Sequence, residues 1–153
     1  MSSSQQLAKH FREVYFGGNW TDVNLRDSLD GISWQQATAE VYGLNSIAML
    51  VYHIHYYVIP VSKVFLGEVL IASDRNSFDL PPIYSAEDWH QLQNKVFEDA
   101  ELFASQIEQF DEEKLFSDFP EEKYGCYYKN ILGIIEHSYY HLGQISLIKK
   151  ILQ

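Results

Sequence analysis

Cysteine is almost missing from this chain: Cys126 is the only one in 153 residues. That excludes an intrachain disulfide and fits a reducing cytoplasm better than a disulfide-stapled secreted domain. Positive charge is scarce too. Eleven Lys and Arg stand against 21 Asp and Glu, for a formal net charge of −10. A phosphate backbone or an anionic membrane surface needs a basic footprint that such a chain does not supply, so nucleic acid and membrane are not expected partners. The longest apolar stretch, Ile47–Val61, is interrupted by His53 and His55 and is too short to span a bilayer. The opening residues Met1–His10 have no basic start followed by an apolar run, the pattern a secretory leader would show. Strand-type alternation, internal repeats and low-complexity tracts are also lacking.

What is present is a core-forming composition, 46% apolar and 15% aromatic, in a length suited to one globular domain spanning residues 1–153. Helical periodicity organises it. Ser4 is the expected N-cap of a first helix through Tyr15, with Leu7, Phe11 and Val14 on one stripe and Gly17-Gly18 as its stop. The stretch from Asn19 to Leu44 is poorly periodic, with a short helix expected at Trp34–Tyr42. A second helix begins at Asn45-Ser46 and runs towards Phe65, with Pro60 inside it as a predicted kink. Gly67–Tyr84, carrying Pro81-Pro82, reads as an irregular crossover. Ser85 followed by Asp88 resembles a capping box. It opens a third helix whose seam runs Trp89, Leu92, Val96, Ala100, Phe103, Ile107, Phe110. An acidic turn at Asp111–Phe116 leads to a fourth helix over Gly125–Leu152. These elements predict an all-α antiparallel four-helix bundle with two long crossover connections.

The chemistry concentrates on the fourth helix. His137 and His141 are four residues apart, so in a helix both imidazoles project from one face and can offer nitrogen ligands to one metal ion. They border the apolar stripe Ile131, Ile134, Leu142, Ile145, Ile148, and Gln144 lies nearly in line with His137. Polar groups at such an edge need hydrogen-bond partners or a metal, because each one buried unpaired costs about 1–3 kcal/mol. The second helix offers His53 and His55, which are about 200° apart around it, so only one of them can share that site. His53 lies with Leu50 and Tyr57, His55 with Ala48, Val51 and Ile59, and periodicity does not choose between them. One histidine from the second helix plus two from the fourth would leave coordination positions open, the catalytic rather than the structural form of a zinc site. Nickel also suits imidazole ligands. Glu136 points about 100° away from His137, His10 and His90 fall off the apolar stripes, and Cys126, near the start of the last helix, reads as structural.

The Tyr-Tyr-His-Leu-Gly-Gln-Ile run of the last helix, its His-x-x-x-His pair, the Ser-Phe-Asp-Leu-Pro-Pro crossover (Ser77–Pro82) and a histidine midway along the second helix resemble the DinB-like (DinB/YfiT-like) superfamily over essentially the whole chain. That resemblance implies a bundle, commonly a homodimer, in which His53, His137 and His141 hold a divalent metal such as zinc or nickel, with Tyr140 and Gln144 as candidates for orienting a ligand or a histidine. It also implies a small-molecule substrate. Relatives include transferases that use low-molecular-weight thiols such as bacillithiol or mycothiol, and a related isomerase. An S-transferase in detoxification is therefore the expected activity, and a metal-stapled, non-catalytic bundle acting through a partner interface is the alternative.

Overall fold

Apolar residues at steps of three and four build four long helices here, and serine side chains cap the start of three of them. In a computed structural model describing residues 1–153, the long helices are α1 (Ser3–Phe16), α4 (Ile47–Phe65), α5 (Ala86–Gln109) and α7 (Tyr127–Leu152), with the short α2 (Leu25–Leu29), α3 (Trp34–Thr38) and α6 (Glu112–Leu115) between them. The fold is all-α. α1 packs on α5 and α7, and α4 packs on the same two helices, so each long helix has two long neighbours around a common core. Phe11, Phe103, Ile54, Ile107, Ile131 and Ile145 are nearly or wholly shielded from solvent there, each such side chain contributing about 1.5–3 kcal/mol of burial. No helix is long and apolar enough to cross a membrane.

The stripes expected on α1, α5 and α7 are the buried ones, with Leu92 and Phe110 only partly covered. Several boundaries differ from the sequence reading. The N-cap of α1 is Ser2, in a reciprocal capping box with Gln5; Ser4 is instead buried in the first turn, where its hydroxyl donates to the Phe110 carbonyl. α3 stops at Thr38, four residues early, because Tyr42 and Gly43 take positive φ values of 53° and 72° and form a turn. The Asp111–Phe116 segment contains the short helix α6, capped by Asp111. α7 begins at Tyr127, since Gly125 has φ +73°. Helix α4 continues through Pro60 to Phe65.

The connection from α1 to α4 is pinned rather than loose. Gly17 ends α1 at φ +101°, and a Cβ there would sit 3.0 Å from the Asn24 side chain. Asn24 in turn caps α2, accepting from the Asp27 amide. Trp89 of α5 donates its indole N–H to the Ile32 carbonyl at 3.0 Å, fixing this connection against the core. The second connection, residues 66–85, contains a 3-10 turn at Asn76–Phe78 that packs on α4. That turn completes the site.

Candidate metal centre

His53 faces inward midway along α4, and one helical turn separates His137 from His141 on α7. The packing of α4 on α7 brings all three rings to one place. His137 Nε2 lies 3.0 Å from His53 Nε2 and 3.1 Å from His141 Nε2. The ligand atoms of the three residues all fall within 4.8 Å of one another, an arrangement that could hold a metal ion. His53 and His141 are buried and His137 is partly open.

The hydrogen bonds outside the cluster decide which nitrogens face in. The Ser77 hydroxyl donates to the Asp74 carbonyl at 2.6 Å, so its oxygen is left to accept from His53 Nδ1 at 2.9 Å. Gln144 Oε1 accepts from His141 Nδ1 at 2.7 Å. With both Nδ1 atoms protonated, the Nε2 atoms of His53 and His141 carry lone pairs, and those lone pairs point into the cluster. Burial and crowding also disfavour the charged forms of His53 and His137. Burial and the neighbouring His141 and His53 push His137 down to about 4, and burial, then His141, lowers His53. Unprotonated nitrogen is the form that binds a cation.

Aromatic rings wall the cluster. Phe78 stacks on His53 with centroids 4.3 Å apart, and Tyr57 meets His53 and His137 edge-on at 5.3 and 5.1 Å. The Tyr57 hydroxyl donates to Asp74 Oδ1 at 2.7 Å, tying α4 to the crossover. Tyr140 lies edge-on to His141 at 4.9 Å but is otherwise largely exposed. His137 also borders an open cleft of about 530 Å3.

His55 is not part of this cluster. It projects towards α5, where its Nε2 is 2.8 Å from Asp99 Oδ2, and Asp99 also receives Lys95 at 2.7 Å. Glu136 and His90 are exposed, His10 lies beside Glu13, and half-buried Cys126 is the N-cap of α7 without a side-chain capping bond. Ser77, Phe78, Asp74 and Tyr57 were not singled out by the sequence reading as site residues. The crossover has no periodicity from which contact with a helix 24 residues away could be read. Comparison with protein-family models, curated proteins and solved structures found no match for the chain.

Proposed function

We propose that this chain is a metal-dependent enzyme built on a DinB-like four-helix bundle, acting as a low-molecular-weight-thiol S-transferase on a reactive electrophile. The observation that carries the reading is the convergence of three imidazoles on one point beside an open cleft. Three nitrogen ligands with a free side match the open form of a catalytic site, whereas a structural zinc site closes with four protein ligands. A divalent ion such as zinc or nickel would supply a Lewis-acid position at which a thiol loses its proton near neutral pH. The protein's part is positioning. Ser77 and Gln144 fix the outer nitrogens of His53 and His141, Phe78 and Tyr57 limit water around the rings, and the cleft admits the small molecule. In the transfer, a sulfur–carbon bond forms, the bond from carbon to its leaving group breaks with the electron pair going to that group, and the thiol proton passes to solvent. A cytoplasmic location and a homodimer accord with the single cysteine and the family resemblance.

The test is conjugation of bacillithiol, glutathione and coenzyme A to 1-chloro-2,4-dinitrobenzene, using protein stripped of metal and then reloaded with zinc or nickel. Turnover with at least one thiol, lost on stripping and lost in His137→Ala, is the expected result. Equal rates with and without metal would sink it. The second reading, a non-catalytic metal staple, is favoured by one observation: the ligands join two helices through residues 84 positions apart in sequence.

A further inference from the structure

The cleft beside His137 carries more information than its proximity to the imidazoles. It is bounded by α4, the crossover, the segment before α7 and the first half of α7. On α7 its lining residues include Lys129, Gly133 and His137, at steps of four, so they form one ridge along the helix. Eight residues of helix set the backbones of Lys129 and His137 about 12 Å apart, and the lysine stem runs on from there, away from His137, to lie over Gly125. Gly133 between them has no side chain, and a Cβ added there would meet nothing within 4 Å. A glycine in a helix interior costs roughly 0.5–1 kcal/mol relative to alanine; here its structural consequence is a bare floor between a cation and the histidine cluster.

The cation at the far end is uncompensated. The chain has 21 acidic residues against 11 Lys and Arg, yet no carboxylate pairs with Lys129. Its stem lies over Gly125, where a Cβ would come 3.1 Å from Lys129 Cδ, so the absent side chain makes room for it. Lys129 also sits in the first turn of α7, which has no acidic residue, a position where a helix disfavours positive charge. Lys123 lines the same end, 4.7 Å over the Tyr124 ring and 2.9 Å from Glu121. That exposed ion pair is weak and open to exchange. The cleft's own carboxylate, Asp74, accepts the Tyr57 hydroxyl at the opposite side. Between the two ends the walls are apolar, with Val61, Leu70, Phe119 and Ile134 among them.

We infer that the cleft binds an amphipathic organic anion, its carboxylate, sulfonate or phosphate held by Lys129 with Lys123, its apolar body laid along the floor at Gly133, and its other end directed towards His137. As a substrate site this rests on the reading above; as a binding site it stands without it. An anion there relieves the unpaired charge on Lys129, and the apolar walls reward a hydrocarbon body. The two cations select for charge sign, and the length of the bare floor selects for reach.

Calorimetric titration of the full chain with octanoate, octanol and octylamine tests this, each on chelator-treated and zinc-loaded protein. Octanoate should bind at least tenfold tighter than octanol, with octylamine weakest. Lys123→Met/Lys129→Met should weaken octanoate at least tenfold and leave octanol unchanged. Gly133→Phe, checked for folding by circular dichroism, should weaken both. His53→Ala should lose zinc but keep the octanoate preference. The inference is overturned by octanoate binding that follows His53 instead of Lys129, by equal affinity for the amine, or by no saturable octanoate binding to folded wild type at millimolar concentration. Thiol transfer can fail while this preference persists, and the reverse, so the two proposals fall separately.

Discussion

A histidine reaches a cation only through a ring nitrogen that carries no proton, so the partner of its other nitrogen matters as much as the ring. Ser77 does this for His53, and Gln144 for His141. Ser77→Ala removes the acceptor of His53 Nδ1–H and leaves the ring free to rotate or change tautomer. Zinc affinity, measured by competition with a chromophoric chelator, should fall about 10–100-fold, while His55→Ala should leave it unchanged because His55 faces Asp99. Unaltered affinity in Ser77→Ala would remove the orienting role. At this scale the His137/His141 pair was legible from spacing, since a four-residue step on a helix is fixed geometry. The choice of His53 over His55 was not. Both sit on an almost wholly apolar helix, and what separates them is a serine 24 residues and an aspartate 44 residues away.

Helices begin where a side chain can satisfy the first free amides, and α1, α4 and α5 obey that rule with Ser2, Ser46 and Ser85, whereas Cys126 before α7 makes no such bond. Ser85 caps α5 by accepting from the Asp88 amide, and Asp88 reaches back one residue further than a capping box, to the Tyr84 amide at 2.9 Å. Those bonds, the Tyr84 amide first and the Ser85 hydroxyl next, hold the Asp88 carboxyl below its ordinary 3.8. A carboxyl depressed on folding contributes stability that is complete above the unfolded value and is lost as pH falls through the folded one. The advantage of wild type over Asp88→Asn should therefore be constant from neutrality down to about pH 5 and shrink progressively below it, in urea unfolding at a series of pH values. A difference that persists unchanged to pH 2 would contradict this. Element existence was readable where apolar periodicity ran for three turns or more. Boundaries were less so: α2 and α6 have five and four residues, too short for a period to register. Ser2 and Ser4 are chemically identical caps, distinguished by whether Gln5 or Phe110 is within reach.

For the molecule as a whole, a cation bound between α4 and α7 would favour the folded state, in which the three histidines are brought together. Free zinc at a hundred times its Kd would stabilise the fold by about 2.7 kcal/mol, which for a domain of this size raises Tm by roughly 5–10 °C. Calorimetry of chelated and zinc-loaded protein should show that rise, and His137→Ala/His141→Ala should abolish it. A far larger drop in Tm on chelation, with no thiol transfer in the loaded form, would favour the staple over the enzyme.

Composition and periodicity by themselves determined that the chain is helical, which faces are buried, and that two imidazoles share one face of the last helix, because each of these follows from local rotation along the backbone and the removal of apolar area from water. Tertiary structure alone decided which histidine of α4 joins that pair, that the crossover supplies Ser77 and Phe78, and that residues of α4 and the crossover close an open cleft against the His137 side of α7. Those are contacts between residues far apart in sequence, and no local period encodes them.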